Sequence, residues 1–404
     1  MLKLHEVNLP VDLVTVSAEA RNQGTFDRLG GNPTLTGIFD DTFSIGNAEA
    51  YARMIKAQST LRSIVQVTTE VAKKAAQGLS NVDDFLDEIE SKVFHLSQHK
   101  TKSSSAKIKD VLLANLESME ERALNQSSII GLKTGFREFD GMTQGLTPGQ
   151  LIILAARPAM GKTSLALSIC HNVMKLDQKS VIAFFSLEMT KEELGFRLMA
   201  CETKIPSQRL KVGNLTHEEW STLSTASATL ANSALEIIDE GDPVVFEIKS
   251  HCRRLHTQEK RLDLVVVDHL QLMRGPRSQA RGESHREREV AEISQNLKKL
   301  AKELRVPIIV LSQLNRSPES RPNKRPQLSD LRESGSIEAD ADIVAFLYRD
   351  EVYNPETEAR GQGELIVSKL RGGPIGTVQL TWVPELTLFK DPERTFLPKI
   401  VPHS

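Results

Sequence analysis

At 404 residues the chain is long enough to bury a sizeable core and is expected to hold one or two domains. Its 51 basic and 53 acidic residues leave a net charge of −2, which excludes a global electrostatic pull toward nucleic acid and confines any such binding to a local patch. Cys170, Cys201 and Cys252 lie far apart without CxxC spacing, and no apolar run reaches membrane-spanning length, so a disulfide framework, a zinc site and a membrane span are set aside.

The first thirty residues lack a signal-peptide profile, and a cytoplasmic protein is expected. Residues 1–46 are weakly patterned: Val11 to Ala20 reads as a helix, and Gly24 and the Gly30-Gly31-Asn32-Pro33 cluster break the chain beyond it. Asn47 to Gln77 is an amphipathic helix, with Tyr51, Met54, Ile55, Leu61, Val65 and Val71 at helical spacing and Gly78 ending it. A second helix is expected from about Asn81, with Phe85, Leu86, Ile89, Val93 and Leu96 on one face. The short Gly-Leu-Ser turn between the two implies an antiparallel hairpin, although an ordinary helical-bundle fragment carries the same pattern. Polar, Ser/Lys-rich Gln98 to Lys107 marks a linker. Lys107 to Gln126 reads as one more helix, whose apolar stripe (Ile108, Val111, Leu112, Met119) must dock elsewhere.

From about Ile130 apolar strands alternate with helices. Strands are expected near 151–155, 180–187, 235–239, 263–268, 306–311, 342–348 and 364–369, and helices near 163–176, 190–201, 216–231, 244–256 and 285–304. The alternation predicts an α/β fold: a mostly parallel sheet covered on both faces, with ligands beyond the carboxyl ends of its strands. The first of these strands, Leu151 to Leu154, runs into Ala156-Arg157-Pro158-Ala159-Met160-Gly161-Lys162-Thr163-Ser164 and then an apolar helical run. Strand, tight loop ending in Gly-Lys-Thr, and helix N-terminus make a phosphate-binding P-loop. Backbone N–H groups cradle a polyphosphate, Lys162 neutralises its outer charge and Thr163 ligates Mg²⁺. Ala156 stands where the first glycine is usual, and can follow the turn if its φ stays negative.

Three later strands end in polar residues. Leu264-Val-Val-Val-Asp268 closes on a carboxylate, the Walker-B pattern that holds the Mg²⁺ shell. Val181 to Glu188 leaves the neighbourhood of the P-loop strand with an acid that can polarise an attacking water, or that simply opens the next helix. Val306 to Gln313 ends in an amide able to hydrogen-bond a γ-phosphate and report its loss. Asn315 to Arg332 then carries five basic residues (Arg316, Arg321, Lys324, Arg325, Arg332) against Glu319 and Asp330, either a solvated loop or a phosphate-contacting patch, with Gly335 just beyond it allowing close backbone approach. Lys369 and Arg371 share one side of a strand end before a Gly-Pro turn. They form either a hairpin salt bridge or a pair of cations aimed at a neighbouring subunit's nucleotide.

The chain resembles the DnaB-type replicative DNA helicases, through ARPAMGKTSLAL, FFSLEM, VVVDHLQLM, AEISQNLKKLAKELRVPIIVLSQLNR, KRPQLSDLRESGSIEADADI, LYRDEVY and KLRGGPIGTVQL, which together span Ala156 to Leu380 in the family's order. The hairpin ending in LDEIESKVFHL looks like the end of that family's amino-terminal domain, and residues 9–31 match its middle. The resemblance implies a RecA-like ATPase domain over 129–397, a linker with its helix over 99–128, and a truncated helical amino-terminal domain over 1–98 whose hairpin spans 47–98. It further implies a homohexameric ring on single-stranded DNA, 5′→3′ movement driven by ATP with Mg²⁺, and contact with primase and a helicase loader. The family's P-loop lysine and threonine fall on Lys162 and Thr163, its catalytic glutamate on Glu188, its metal-shell acid on Asp268 and its glutamine sensor on Gln313. Its interface cations fall on Lys369 and Arg371, and its DNA-contacting loop on Arg332, Glu333 and Gly335. His269 stands where a tyrosine is usual, a change expected to be structural, and the family's helical head before residue 9 is expected to be missing. A RecA-kind recombinase would share the sheet, P-loop and strand-end glutamate, but the helical hairpin, linker helix and RESGS loop favour the ring motor. A non-enzymatic decoy ring is disfavoured by intact Lys162, Glu188, Asp268 and Arg371.

Overall fold

The computed structural model describes residues 13–41, 48–77, 129–239, 245–273, 283–331 and 334–393, with isolated positions between 85 and 120. The chain divides into two compact units, Met1–Ser80 with Ser91–Thr101 and Asn81–Glu90 with Lys102–Ser404.

The first unit is helical: α1 (Leu13–Asn22), α2 (Gly31–Asp41) and α3 (Ala48–Ala76). Val16 and Leu35 are buried together with Phe26 packed on them, and the Arg21 guanidinium stacks 4.5 Å from the Phe26 ring centre. The break expected at Gly24 and the glycine cluster falls over residues 23–30, between α1 and α2. Gly30 and Gly31 take φ values of +83° and +68° and turn the chain into α2, and Pro33 falls in that helix's first turn, where no intrahelical N–H is required. The Gly-Leu-Ser turn and the polar linker lie outside the described residues. At the described positions of the expected linker helix, Ile108, Leu112, Leu116 and Met119 are helical and exposed.

The second unit is built on a nine-stranded sheet. Its strands are β1 (Leu151–Ala156), β2 (Val181–Ser186), β3 (Ala234–Ile238), β4 (Leu264–Asp268), β5 (Ile308–Gln313), β6 (Ile343–Tyr348), β7 (Gln362–Leu370), β8 (Gly376–Val383) and β9 (Leu388–Lys390), in the order β3-β2-β4-β5-β1-β6-β7-β8-β9. The first six are parallel and the last three run antiparallel. The composition explains the division. β1, β2, β4 and β6 are buried at every position, because helices cover both faces and the sequence is continuously apolar. β7 and β8 alternate, with Leu365, Val367, Val378 and Leu380 buried between more exposed neighbours, the pattern of a half-covered sheet.

Around the sheet lie α4 (Arg137–Thr143), α5 (Lys162–Leu176), α6 (Lys191–Thr203), α7 (Ser207–Val212), α8 (His217–Ala231), α9 (Val245–Glu259), α10 (Glu283–Leu304), α11 (Ser317–Ser320) and α12 (Ser334–Asp340). Phe136, Phe184, Phe346 and Phe389 are among the largest fully buried side chains, each worth about 1.5–3 kcal/mol when removed from water. All three cysteines are buried free thiols, and burial pushes Cys170 up to about 12 and Cys201 up to about 11. Among the described residues no helix is long and apolar enough to cross a membrane.

One expectation about neighbours is corrected. β2 does not border the P-loop strand: β5 and β4 lie between them, with β1 paired to β5, β5 to β4 and β4 to β2. Gln313 at the end of β5 therefore stands between the loop after β1 and Asp268 at the end of β4.

Candidate active site

The loop after β1 is shaped by backbone geometry. Ala156 closes the strand without a positive φ, as the turn requires of an alanine. Ala159 and Gly161 take φ values of +66° and +93°, and left-handed residues in such a loop form a concave nest of N–H groups that suits an anion. Gly161 caps α5, so the nest opens at a fifteen-residue helix's N-terminus. Only glycine fits there comfortably: a Cβ on Gly161 would lie 3.0 Å from Cε2 of Phe389. Buried Met160 anchors the loop, and Arg157 is fixed by donating to the Leu314 carbonyl at 2.8 Å and to Glu319 Oε1 at 2.9 Å.

Residues 156–164, apart from Met160, line a cleft of about 330 Å³. Glu188 and Arg197 form one wall, Gln313 another, and Arg349 with Trp382 closes a third. Asp268, a partner of the lining residue Thr163, is fully buried. Its Oδ2 accepts from the Thr163 hydroxyl at 2.5 Å, while Oδ1 has no hydrogen-bond donor and lies 3.7 Å from Lys162 Nζ. Burial draws the Lys162 ammonium below its ordinary range, and the charges of Asp268 and Glu188 work in the opposite direction. A buried carboxylate oxygen left without a donor, beside a threonine hydroxyl, is a hard oxygen set of the kind Mg²⁺ takes, so these residues fit the ion.

Glu188, Asp268 and His269 bring their donor atoms within 4.8 Å of one another. His269 Nδ1 lies 3.1 Å from Glu188 Oε2, so the residue that departs from the tyrosine pattern faces the glutamate directly. Burial and then Lys162 lower the His269 pKa, against the pull of Asp268 and Glu188. Glu188 is half exposed toward the cleft, in keeping with a carboxylate open to water.

Lys369 and Arg371 are not in this cleft. β7 runs antiparallel to β6, with Leu370 opposite Ile343, so both cations sit at the amino end of the parallel strands. There Lys369 donates to the Glu338 carbonyl, and Arg371 donates to the Ala339 carbonyl at 2.9 Å and lies 3.3 Å from Asp342 Oδ1. The basic loop is less available than its charge count implies. Arg321 is held by Asp330, and Arg325 grips Glu364 through two hydrogen bonds at 2.7 and 2.6 Å. Arg332 and Glu333 lie outside the described residues, and Gly335 belongs to the first turn of α12.

Arg197, Arg349 and Trp382 join the cleft without having been expected from the sequence. Arg349 reaches the Ala159 carbonyl at 3.3 Å, pairs with Glu351 at 2.5 Å and stacks 4.5 Å above Trp382. A signal for it exists: Arg349 follows an apolar strand, just as Glu188 follows β2. Arg197 and Trp382 sit inside a helix and an alternating strand, where nothing local distinguishes them.

The model of the DnaB-like helicase C terminal domain matches residues 131–391, and that of the DnaB-like helicase N terminal domain matches residues 1–57. The chain is 44% identical over 396 residues to the replicative DNA helicase DnaC of Bacillus subtilis (strain 168), and 42% identical over 396 residues to the replicative DNA helicase DnaB of Geobacillus stearothermophilus. Each alignment covers 98% of this chain and 86% of the relative. Among solved structures, one ATPase domain superposes with a TM-score of 0.67 at 38% identity, covering 72% of this chain and all of that one. A DnaB-like replicative helicase described with its interactions with primase superposes with a TM-score of 0.66 at 32% identity, covering 97% of this chain and 90% of that one.

Proposed function

The chain belongs to the DnaB-like helicase family, and from that premise we propose that it is an ATP-dependent replicative DNA helicase, moving 5′→3′ on single-stranded DNA as a homohexameric ring in the cytoplasm. The observation that carries the reading is the convergence, in one cleft, of the P-loop after β1, Gln313 from β5 and Glu188 after β2, with buried Asp268 from β4 hydrogen-bonded to the P-loop Thr163. The proposed division of labour is a helical amino-terminal part over 1–98, a linker over 99–128, and a RecA-like motor over 129–397.

In this reading the nest of residues 156–164 and Lys162 bind the polyphosphate of ATP, with Arg349 and Trp382 closing the cleft beside them. Thr163 and Asp268 hold Mg²⁺, which when bound supplies positive charge to the phosphate oxygens. Glu188 takes the proton from the attacking water as its oxygen bonds to the γ-phosphorus and the bond to the β–γ bridging oxygen breaks. Gln313 hydrogen-bonds the γ-phosphate and responds to its loss. Lys369 and Arg371 act on the neighbouring subunit's nucleotide, and the Arg332–Gly335 loop contacts DNA phosphates. Single-stranded DNA, further copies of this chain, primase and a loader are the proposed partners.

The test is unwinding of forked duplexes by the full chain. A substrate with a free 5′ tail should be opened with ATP, and one with only a 3′ tail should not. ATPase activity unaffected by single-stranded DNA, with neither fork opened, would assign the chain to some other P-loop activity.

A further inference from the structure

β5 outruns its partner on one side. Its ladder with β4 ends where Val267 faces Val310, three residues short of Gln313, whereas on the other side Ala156 of β1 still faces Gln313. The open edge is met by the side chain of Gln271, in the short 3₁₀ turn Leu270–Leu272 after β4. Gln271 Oε1 accepts from the Gln313 backbone N–H at 3.1 Å. Its Nε2 donates to the Gln313 carbonyl at 3.2 Å and to Ser312 Oγ at 2.9 Å. One primary amide thus satisfies both main-chain polar groups of a single residue, doing for Gln313 what the missing strand would do.

Gln271 is itself tethered. Its carbonyl accepts from Arg286 Nη2 at 2.9 Å, and the Met273 carbonyl accepts from Arg286 Nη1 at 3.2 Å. Arg286 belongs to the start of α10, where Glu289 holds it at 2.5 Å. The side chain of Gln313 enters the nucleotide cleft from the backbone so fixed.

We infer that Gln271 is the positioning residue for Gln313, and that through Arg286 it links the first turns of α10 to the nucleotide cleft. A displacement of that helix start is passed through two hydrogen-bonded contacts to Gln313, an amide residue lining the cleft beside the P-loop. No apolar side chain of similar volume can substitute, because only a group with both a donor and an acceptor matches an N–H and a C=O on the same edge. Glutamate keeps the acceptor and sets its second oxygen against the Gln313 carbonyl. The inference rests on reading the cleft as a site of nucleotide hydrolysis.

The experiment is a double-mutant cycle on the full chain, measuring kcat and KM for ATP together with the affinity for a fluorescent ADP analogue. Gln271→Met should lower kcat about ten- to a hundredfold, the loss expected when a cleft group is misplaced by about 1 Å, with analogue affinity unchanged. In a Gln313→Ala background the same substitution should cost nothing further, since the group it positions is gone. Arg286→Met should give a smaller loss that also vanishes in that background. Gln271→Glu should fall between wild type and Gln271→Met, and it carries the cycle if melting shows that Gln271→Met fails to fold. Losses that multiply, an unchanged kcat, or an effect confined to KM would overturn the inference. A wild-type chain without ATPase activity would overturn the hydrolysis reading itself and this inference with it; an active wild type with multiplying losses overturns this inference alone.

Discussion

Arg371 and the P-loop of its own chain lie at opposite ends of the sheet, and that separation dictates how mixed assemblies should behave. Ile343 faces Leu370 at one end of the β6–β7 ladder and Tyr348 faces Glu364 at the other, so six residues of strand, about 17–20 Å, lie between the cation and the cleft. An extended guanidinium cannot cover that distance, so in the proposed ring it serves a neighbour. Releasing it is cheap. The Arg371 side chain is 54% exposed where it meets Asp342, and such a pair contributes about 0–1 kcal/mol. Its hydrogen bond to the Ala339 carbonyl adds about 0.5–1.5 kcal/mol. Asp342 keeps Lys298 Nζ at 2.5 Å and the Leu151 N–H at 2.8 Å when Arg371 leaves. A cation acting across the interface is worth about 10³–10⁵ in rate, or roughly 4–7 kcal/mol, which exceeds the cost. Lys162→Ala and Arg371→Ala chains should each be nearly inactive. In an equimolar mixture about a quarter of the interfaces pair an intact P-loop with an intact cation, because the interface is heterologous. Phosphate release plotted against mixing ratio should therefore peak at equal amounts, near a quarter of wild-type activity. A flat line joining the two parents would refute the reasoning.

Glu188→Gln should bind nucleotide with Mg²⁺ as wild type does while hydrolysis falls about 10²–10⁴-fold; weakened binding with turnover intact would make the residue structural. Gly161→Ala forces a Cβ into a φ of +93° and to within 3.0 Å of Phe389, a strain of about 1–3 kcal/mol, and should lower both melting temperature and nucleotide affinity. Unchanged melting would mean that the P-loop relaxes freely. Arg332→Ala should weaken single-strand binding equally on poly-dT and mixed sequence, lower the salt slope by about one, and spare basal ATPase. Unchanged affinity at moderate salt would move the DNA path off this loop.

The features legible in the sequence are those that a short window contains. Buried parallel strands are continuous apolar runs, so Leu264 to Asp268 announces both a strand and the carboxylate at its end. The P-loop is legible because nest, cation, hydroxyl and helix start are consecutive residues. The failures are of longer range. The charge count over 315–332 cannot register that Arg325 meets Glu364, 39 residues on. β9 escapes because three residues are too few to show a period. β8, though it alternates over eight residues, follows a Gly-Pro turn without the continuous apolar run of the buried strands. Their purpose shows only in space: the Phe389 N–H donates to Ser168 Oγ at 3.1 Å, 221 residues away in sequence. Gln271 looks like one more polar residue in a turn, and its partner is 42 positions downstream. Gly30-Gly31 reads as a breaker because glycine favours turns, and the turn it makes is the one that starts α2.

The antiparallel extension joins the two halves of the proposed composite site. β7 ends at Leu370, beside the outward cations, and its other end pairs with β8, where Gln362 faces Thr381. β8 then delivers Trp382, whose ring centre lies 4.6 Å from that of Phe389, the ring against which Gly161 packs. Trp382 also carries Arg349, which holds the Ala159 carbonyl of the P-loop. β7, which ends beside Lys369 and Arg371, is thus hydrogen-bonded over Gln362–Val367 to β8, the strand that brings Trp382 to the chain's own cleft. Packed aromatic rings and a β-ladder transmit small displacements rather than absorb them, because neither has slack volume to deform into. In the proposed ring, this hairpin is the connection between the P-loop floor and the end of β7, with Arg371 in the turn just beyond that strand.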